Sequence, residues 1–206
     1  MNNKFVRSLK IAMLCKNAKG IMFLSLFFLV LSPVLMIISN SSFFLGAILS
    51  LYSWMFLTQY LAIPELAEVA AASPMKKFMA TTMQDIVSFV GVLISFACVA
   101  VSNHINPCVD YNILFAYIAI SAFTIYFGIT YRAYVVGTIV VLVSIGFFAV
   151  LSGILSRKFD FAAIPIDLIG FLIILVGWAL GVLFRHVLYK IPMSNLMRKS
   201  LERQCR

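Results

Sequence analysis

The sequence predicts an all-α membrane protein with six transmembrane helices, preceded by an interfacial amphipathic helix at the N-terminus. Two observations predict this class. Of the 206 residues, 63% are hydrophobic and only 11% are charged, and the hydrophobic residues fall into six long runs. A soluble domain has about 25% charged residues, so this chain has too few of them to cover a water-soluble fold. Its length fits a single transmembrane domain over residues 1–206, with little left for a soluble module.

The first twenty residues mix basic and apolar side chains. Apolar residues such as Phe5, Val6 and Leu9 alternate with basic ones, which are Lys4, Arg7, Lys10, Lys16 and Lys19. This mixture is typical of a helix that lies in the membrane interface, where the basic groups face the headgroups. We therefore predict an interfacial helix over residues 1–20.

Six apolar runs follow, each near the roughly 20 residues with which an α-helix crosses a hydrocarbon core about 30 Å thick. Twenty residues precede the first run, and that run is longer than the core of a signal peptide, which favours a retained span over a cleaved one. Residues 189–206 then form a basic tail. The predicted spans are Ile21–Ile38, Phe43–Ile63, Met83–Val101, Ile113–Ile129, Ala133–Leu155 and Ile166–Leu188.

Lysine and arginine residues are distributed unevenly between the two predicted sides of the membrane. With six spans, one side receives the N-terminal segment, the loops around Lys76–Lys77 and Arg132, and the C-terminal tail. These four segments hold five, two, one and six basic residues, with Arg185 counted in the tail, whereas the other side holds only Arg157 and Lys158. Basic residues are enriched in cytoplasmic segments. The distribution predicts a multi-pass protein of the cell membrane with both termini in the cytoplasm.

The loop from Pro64 to Lys77 is the most informative segment for function. Pro64 cannot continue a helix interior without cost, so we expect it to end the second span. The residues between it and Ser73-Pro74 are mostly good helix formers, which predicts a short interfacial helix. On these residues alone, two interpretations remain open: an ordinary connector, and a docking element on which a cytoplasmic partner pushes.

Three further residues within the apolar runs are candidates for packing or transport. Gly177 and Gly181 form a GxxxG pair, which lets helices approach closely in lipid, either within one protomer or between two. Asp85 lies at the cytoplasmic start of the third span. An ionisable residue in a membrane is a functional candidate by default, but we expect this carboxylate to reach water.

Several features of the sequence occur together in one known layout. A basic amphipathic N-terminal helix leads into six predicted spans, a helix containing Glu65 and Glu68 is followed by Ser73-Pro74-Met75-Lys76-Lys77, and Tyr126–Arg132 closes the fourth span. A basic tail ends the sequence. Together these features resemble the small membrane permeases of bacterial type-2 ABC exporters. Met75 departs from the commoner family pattern, in which a small polar residue follows the proline. The resemblance extends over nearly the whole chain in layout, but its matching motifs are short.

The resemblance implies a permease that acts as a homodimer or with a related permease, coupled to a separate ABC ATPase subunit. The chain has no GxxxxGK[ST] run to cradle phosphates. ATP and Mg²⁺ would therefore bind the partner, and no cofactor, metal or catalytic residue is expected on this chain. By the same resemblance, the residues of the ATPase-coupling loop are Glu65, Glu68, Ser73, Pro74, Lys76 and Lys77.

Other function classes are less consistent with the sequence. The net charge of +9 is expected to reflect basic cytoplasmic loops that attract anionic lipid headgroups, rather than a nucleic-acid-binding surface. A self-sufficient ion-coupled carrier usually has buried charges near the membrane midplane, and the predicted spans carry almost none. An intramembrane enzyme would need a reactive constellation that is absent from them. The main alternative is a non-transporting accessory or immunity membrane protein.

Overall fold

The computed structural model describes residues 2–13, 18–38, 76–107, 110–130 and 165–192, with single positions among residues 46–53 and 139–154 and at residue 195. Of the described residues, 94% are helical and none is in a β-strand. The all-helical class predicted from the sequence is confirmed for this part of the chain.

Five helices account for most of the described residues. Immediately before the third of them, a short helical stretch, Lys76–Phe78, continues into a π turn, Met79–Met83. The five helices are α1 (Asn2–Met13), α2 (Ala18–Ile38), α3 (Gln84–Ile105), α4 (Asp110–Thr130) and α5 (Ile166–Leu188).

Three described helices are long and apolar enough to cross a membrane: Thr81–Ile105, Tyr111–Ile129 and Ile166–Leu188. They coincide with the third, fourth and sixth spans expected from the sequence. A shorter apolar helix, Met22–Ile38, coincides with the first. The structure thus shows three candidate spans rather than six, because the helix at the first is shorter and the second and fifth predicted spans lie almost entirely outside the described residues.

Helix α1 is shorter than the interfacial helix predicted over residues 1–20, since Met13 is its last residue and α2 begins at Ala18. Lys4 and Arg7 are exposed, whereas Ser8 between them and Lys10 is buried. The Ser8 hydroxyl donates to the Lys4 carbonyl oxygen at 2.9 Å, which satisfies it within the helix. One face of α1 therefore packs on the protein, where it contacts α2 and the π turn, and its basic residues face outward.

Helix α4 lies at the centre of the described core. Its residues Ile113, Leu114, Tyr117 and Ile120 are at most 1% exposed. Ile113, Tyr117 and Ile120 join residues from α3 and α5, such as Val99 and Ile174, in one apolar cluster.

Glycines of α5 set the close approach of α5 to α4. Gly177 lies against Ser121, and a methyl group at Gly181 would come within 2.6 Å of the Thr124 carbonyl oxygen. Gly181 also meets Gly128 backbone to backbone. Small residues allow such contacts in lipid, where van der Waals packing and not hydrophobicity holds helices together. The GxxxG pair therefore lies at a contact between two helices of the same chain.

Polar contacts at the helix ends show the relative directions of the helices. The Asn106 side chain, just after α3, donates from Nδ2 to the Ile37 carbonyl oxygen at the end of α2, at 3.2 Å. Asp85 at the start of α3 meets Arg185 at the end of α5, so these two helices are antiparallel. Helix α1, Lys77 and Lys190 consequently lie at the same end of the described helices, which we call the basic end.

Candidate functional site at the basic end of the helices

An ion pair joins α3 to α5 at the basic end. Asp85 lies in the first turn of α3, and its Oδ1 atom accepts a hydrogen bond from Arg185 Nη1 in the last turn of α5. Arg185 is well placed in the last turn of α5, because a cation is stabilised at a helix C-terminus. The pair is therefore favoured by the dipole of α5 as well as by mutual attraction.

Two further side chains of α5 contact the same turn of α3. His186 Nε2 lies 2.8 Å from Asp85 Oδ2, so both carboxylate oxygens have a partner. Trp178, two turns earlier on α5, directs its indole Nε1–H at the Ser88 hydroxyl oxygen and the Asp85 carbonyl oxygen, at 3.3 and 3.4 Å. Its ring packs on Phe89 with the centroids 4.8 Å apart. These contacts attach the first two turns of α3 to α5.

The members of this cluster differ sharply in exposure to solvent. The side chains of Arg185 and Asp85 are 2% and 13% exposed, whereas that of His186 is 48% exposed. A buried guanidinium needs a carboxylate close by, because removing an uncompensated charge from water costs several kcal/mol. Asp85 is thus the counter-ion that allows Arg185 to be buried.

Hydrogen bonding in the cluster is incomplete within the part of the chain that the structure describes. Arg185 Nε and Gln84 Nε2 are both buried and have no acceptor among the described residues. A buried donor without a partner costs roughly 1–3 kcal/mol. Each of these two donors therefore destabilises the arrangement that the structure shows.

The opposite end of the helices carries a second polar contact. The Tyr117 hydroxyl donates to Asp167 Oδ1 at 2.6 Å and joins α4 to the first turn of α5. Tyr117 is fully buried, and its ring also lies against Gly170. Polar contacts therefore lie at both ends of α5.

The structure places the predicted coupling-loop residues only in part. Glu65, Glu68, Ser73 and Pro74 lie outside the described residues. Lys76 and Lys77 form the start of the helical stretch that leads into α3, and Lys77 is exposed. The two lysines are therefore continuous with the helix that carries Asp85.

The structure corrects two expectations about charge. The Asp85 carboxylate is mostly buried and is paired with Arg185 and His186, so it is not the water-exposed group that the sequence led us to expect. Arg185, counted with the basic tail, lies inside α5 and is almost fully buried. The sequence contained the signal for this pair: Asp85 and Arg185 are each ionisable residues within an apolar run, at ends predicted to share one side of the membrane.

No group of three or more histidine, cysteine, aspartate or glutamate side chains placed to hold a metal ion occurs among the described residues. The site therefore consists of a salt bridge and hydrogen bonds between helices.

Comparisons with protein-family models, with curated protein sequences and with solved structures find no significant match to this chain.

Proposed function

We propose that this chain is the membrane-spanning permease subunit of an ATP-driven exporter, coupled to a separate ABC ATPase chain. It would form the path of an amphipathic peptide, a lipid or a hydrophobic compound, as a homodimer or together with a related permease. The layout of the sequence and the basic residues around the loop before α3 support this assignment.

The observation that carries the proposal is the uncharged interior of the spans. Between Ile86 and Asn103 in α3, between Tyr111 and Ile129 in α4, and between Leu168 and Phe184 in α5, the sequence has no acidic, basic or histidine residue. Carriers driven by ions or protons generally hold such groups near the midplane. An energy source on another polypeptide fits these helices better.

The carboxylates of α3 and α5 are engaged in contacts between helices. Asp85 is held by Arg185 and His186, and Asp167 accepts from Tyr117. Such pairs suit a mechanical subunit, in which polar contacts define how helices sit relative to one another. They are less suited to carrying an ion through the membrane, because each carboxylate already has a protein partner.

The apolar surface of α2 supports the pairing with a second permease or with lipid. Phe23, Val30 and Ile38 are each more than 65% exposed, and Val176 and Val187 of α5 are 60% and 58% exposed. Exposed apolar surface of this kind marks a contact with lipid or with another protein. A hydrophobic substrate path between two permeases would use surfaces of this kind.

The proposal is tested by purifying the tagged chain from its native membrane and identifying co-purifying proteins that carry a Walker motif. The ATPase found in this way is reconstituted with the chain in phosphatidylethanolamine and phosphatidylglycerol vesicles, and its ATP hydrolysis is compared with that of the ATPase alone. We expect the permease to change the hydrolysis rate by about 5-fold or more, as expected for coupled sites. A chain that purifies without an ATPase and folds normally would support the accessory-protein alternative.

Coupling through the loop is tested with charge reversal at Lys76 and Lys77. The K76E/K77E variant is expected to lose the stimulation of ATP hydrolysis, because the loop would no longer rest on the ATPase. Lys190→Glu provides the matched control, since it reverses an exposed lysine at the same end but outside the loop. Unchanged stimulation in K76E/K77E would show that these lysines are not the coupling surface.

A further inference from the structure

We propose that the ion pair between Asp85 and Arg185 transmits movement of the Lys76–Met83 segment to α5. We call this ion pair the latch. This inference rests on the proposed function, because it gives the mechanical path from the coupling loop into the membrane. It goes beyond that function by assigning two positioning residues inside the membrane domain and by dividing the described helices into two bodies.

The first step is the continuity of the helix from Lys76 to Ile105. Phe78 and Gln84, which flank the π turn, and Met83, its last residue, all have right-handed helical backbone angles. A continuous helix transmits a displacement along its axis. A push on the two lysines at its start therefore reaches Asp85, about two turns further on.

The second step concerns the π turn itself. A π turn holds one residue more than an α turn, and such turns are rare and often lie at functional positions. Removing or moving the extra residue rotates the two flanking stretches by about 100° relative to each other, the angle that one residue occupies in an α-helix. Thr81 and Met83 of this turn are buried, and the turn contacts α1 and α5. A change in the conformation of the π turn would therefore alter its contacts with both α1 and α5.

The third step is the rigidity of the pair formed by α4 and α5. A methyl group at Gly128 would lie against the Gly181 backbone, and the Ser121 side chain lies directly against Gly177. Because α4 and α5 pack this closely, we treat them as one body. At the basic end, the contacts of α3 with this body include the Asp85–Arg185–His186 cluster, the Trp178 hydrogen bonds and the packing of Trp178 on Phe89.

The fourth step is the alternative bonding that the cluster offers. Arg185 Nε and Gln84 Nε2 have no acceptor among the described residues, and His186 is half exposed. The arrangement therefore has unused donors that a shifted α5 would engage. Two arrangements of similar stability are what a latch requires.

The latch is tested first without any partner protein, in nanodiscs. The four cysteines are replaced by serine, and spin labels are attached at Ile86→Cys and Val187→Cys, two exposed positions beside the cluster. The D85N/R185Q variant removes both charges together, so that no buried charge is left unpaired and folding is preserved. We expect one narrow label distance in the parent chain and a broad distribution with longer distances in D85N/R185Q.

Two controls separate a latch from a general loss of structure. Tyr117→Phe removes the polar contact at the opposite end of α5 and is expected to leave the label distance narrow. Asp85→Glu retains the carboxylate and is expected to restore most of the narrow population. A distance in D85N/R185Q that stays as narrow as in the parent chain would overturn the latch.

A second measurement uses the native tryptophans. The chain has two, Trp54 and Trp178, so Trp54→Phe leaves Trp178 as the single fluorophore. Because its indole bonds to the first turns of α3, release of the latch is expected to increase quenching of Trp178 by acrylamide. Equal quenching in the parent chain and in D85N/R185Q would also contradict the inference.

The coupling part is tested with the co-purified ATPase present. Addition of ATP and vanadate is expected to shift the Ile86–Val187 label distance in the parent chain. In D85N/R185Q we expect ATP hydrolysis to persist while transport falls by about tenfold or more. The two claims can fail separately. If the label distance broadens in D85N/R185Q without the partner but does not respond to ATP in the parent chain, the ion pair holds the helices together but ATP coupling is refuted. If the distance in D85N/R185Q does not broaden without the partner, the latch is refuted and the proposed function is not.

Discussion

Asp85, in the first turn of α3, is paired with Arg185, in the last turn of α5, one hundred residues further along the chain. The pair lies at the boundary between the apolar part of two antiparallel helices and the basic end. There, Arg185 is buried and Asp85 is its counter-ion. The stability of the described helices and the proposed coupling function consequently depend on the same contact.

Removal of the carboxylate alone is expected to destabilise the protein. Asp85→Asn leaves the Arg185 guanidinium buried without its counter-ion, which costs about 3–5 kcal/mol. The measurement is thermal unfolding of the purified chain in detergent or nanodiscs. D85N/R185Q should recover most of the loss, since neither charge remains. If D85N were as stable as the parent chain, Asp85 would not be the counter-ion that the structure indicates.

The glycine contact between α4 and α5 leads to a second prediction. Gly181→Ala places a methyl group 2.6 Å from the Thr124 carbonyl oxygen, and a backbone atom cannot move away as a side chain can. We expect a loss of about 1–3 kcal/mol from overpacking, measured by thermal unfolding. Gly20→Ala is the matched control, because no atom lies within 4 Å of a methyl group there and Ala favours the helix. Equal stability of the two variants would exclude the close approach.

A third prediction concerns the opposite end of α5. Tyr117→Phe removes the hydroxyl that donates to Asp167 at 2.6 Å, and hydrogen bonds to charged groups contribute about 1.5–3 kcal/mol. The expected result is a lowered unfolding temperature with unchanged helix content by circular dichroism. Tyr111→Phe is the control, because it removes a hydroxyl near the same end of α4 and keeps the ring that stacks on Phe115. A larger effect of the control would contradict this assignment.

The helical class and the positions of four apolar segments could be predicted from the sequence, because long uncharged runs have few alternatives to membrane helices. The run Ile166–Leu188 has the same bounds in the sequence prediction and in the structure. The π turn at Met79–Met83 could not be predicted, since no local pattern in these five residues distinguishes a π turn from an α turn and tertiary contacts decide the local register. The GxxxG pair was recognisable, but only the structure shows that Ser121 and Thr124 lie against it.

The candidate site shows why pairing is harder to predict than burial. Asp85 and Arg185 were each visible as charges near predicted span ends, and near water either would be unremarkable. Their pairing depends on α3 and α5 being neighbours, and helix adjacency is set by packing rather than by local pattern. Counting Arg185 as a tail residue followed from its position at the end of an apolar run. Its side chain instead lies buried against α3, where it is paired with Asp85.

The last prediction concerns sidedness. In the structure, Lys77 and Lys190 lie at the basic end, and His104 lies at the opposite end of α3; all three are exposed. Each is replaced by cysteine in a chain whose native cysteines are serines, and labelled in intact cells with a membrane-impermeant maleimide. Because basic residues are retained in the cytoplasm, we expect label on His104→Cys alone. Inverted vesicles should reverse the pattern and label the two lysine positions.

This experiment also tests the antiparallel arrangement on which the Asp85–Arg185 contact depends. If Lys77→Cys and Lys190→Cys were labelled from opposite faces, α3 and α5 would cross the bilayer in the same direction. Asp85 and Arg185 would then lie on opposite sides of a hydrocarbon core about 30 Å thick, too far apart for any side chain to bridge. Labelling of both positions from the cytoplasmic face, with His104→Cys reached only from outside, is the one pattern compatible with the ion pair and with a coupling loop that meets a cytoplasmic ATPase.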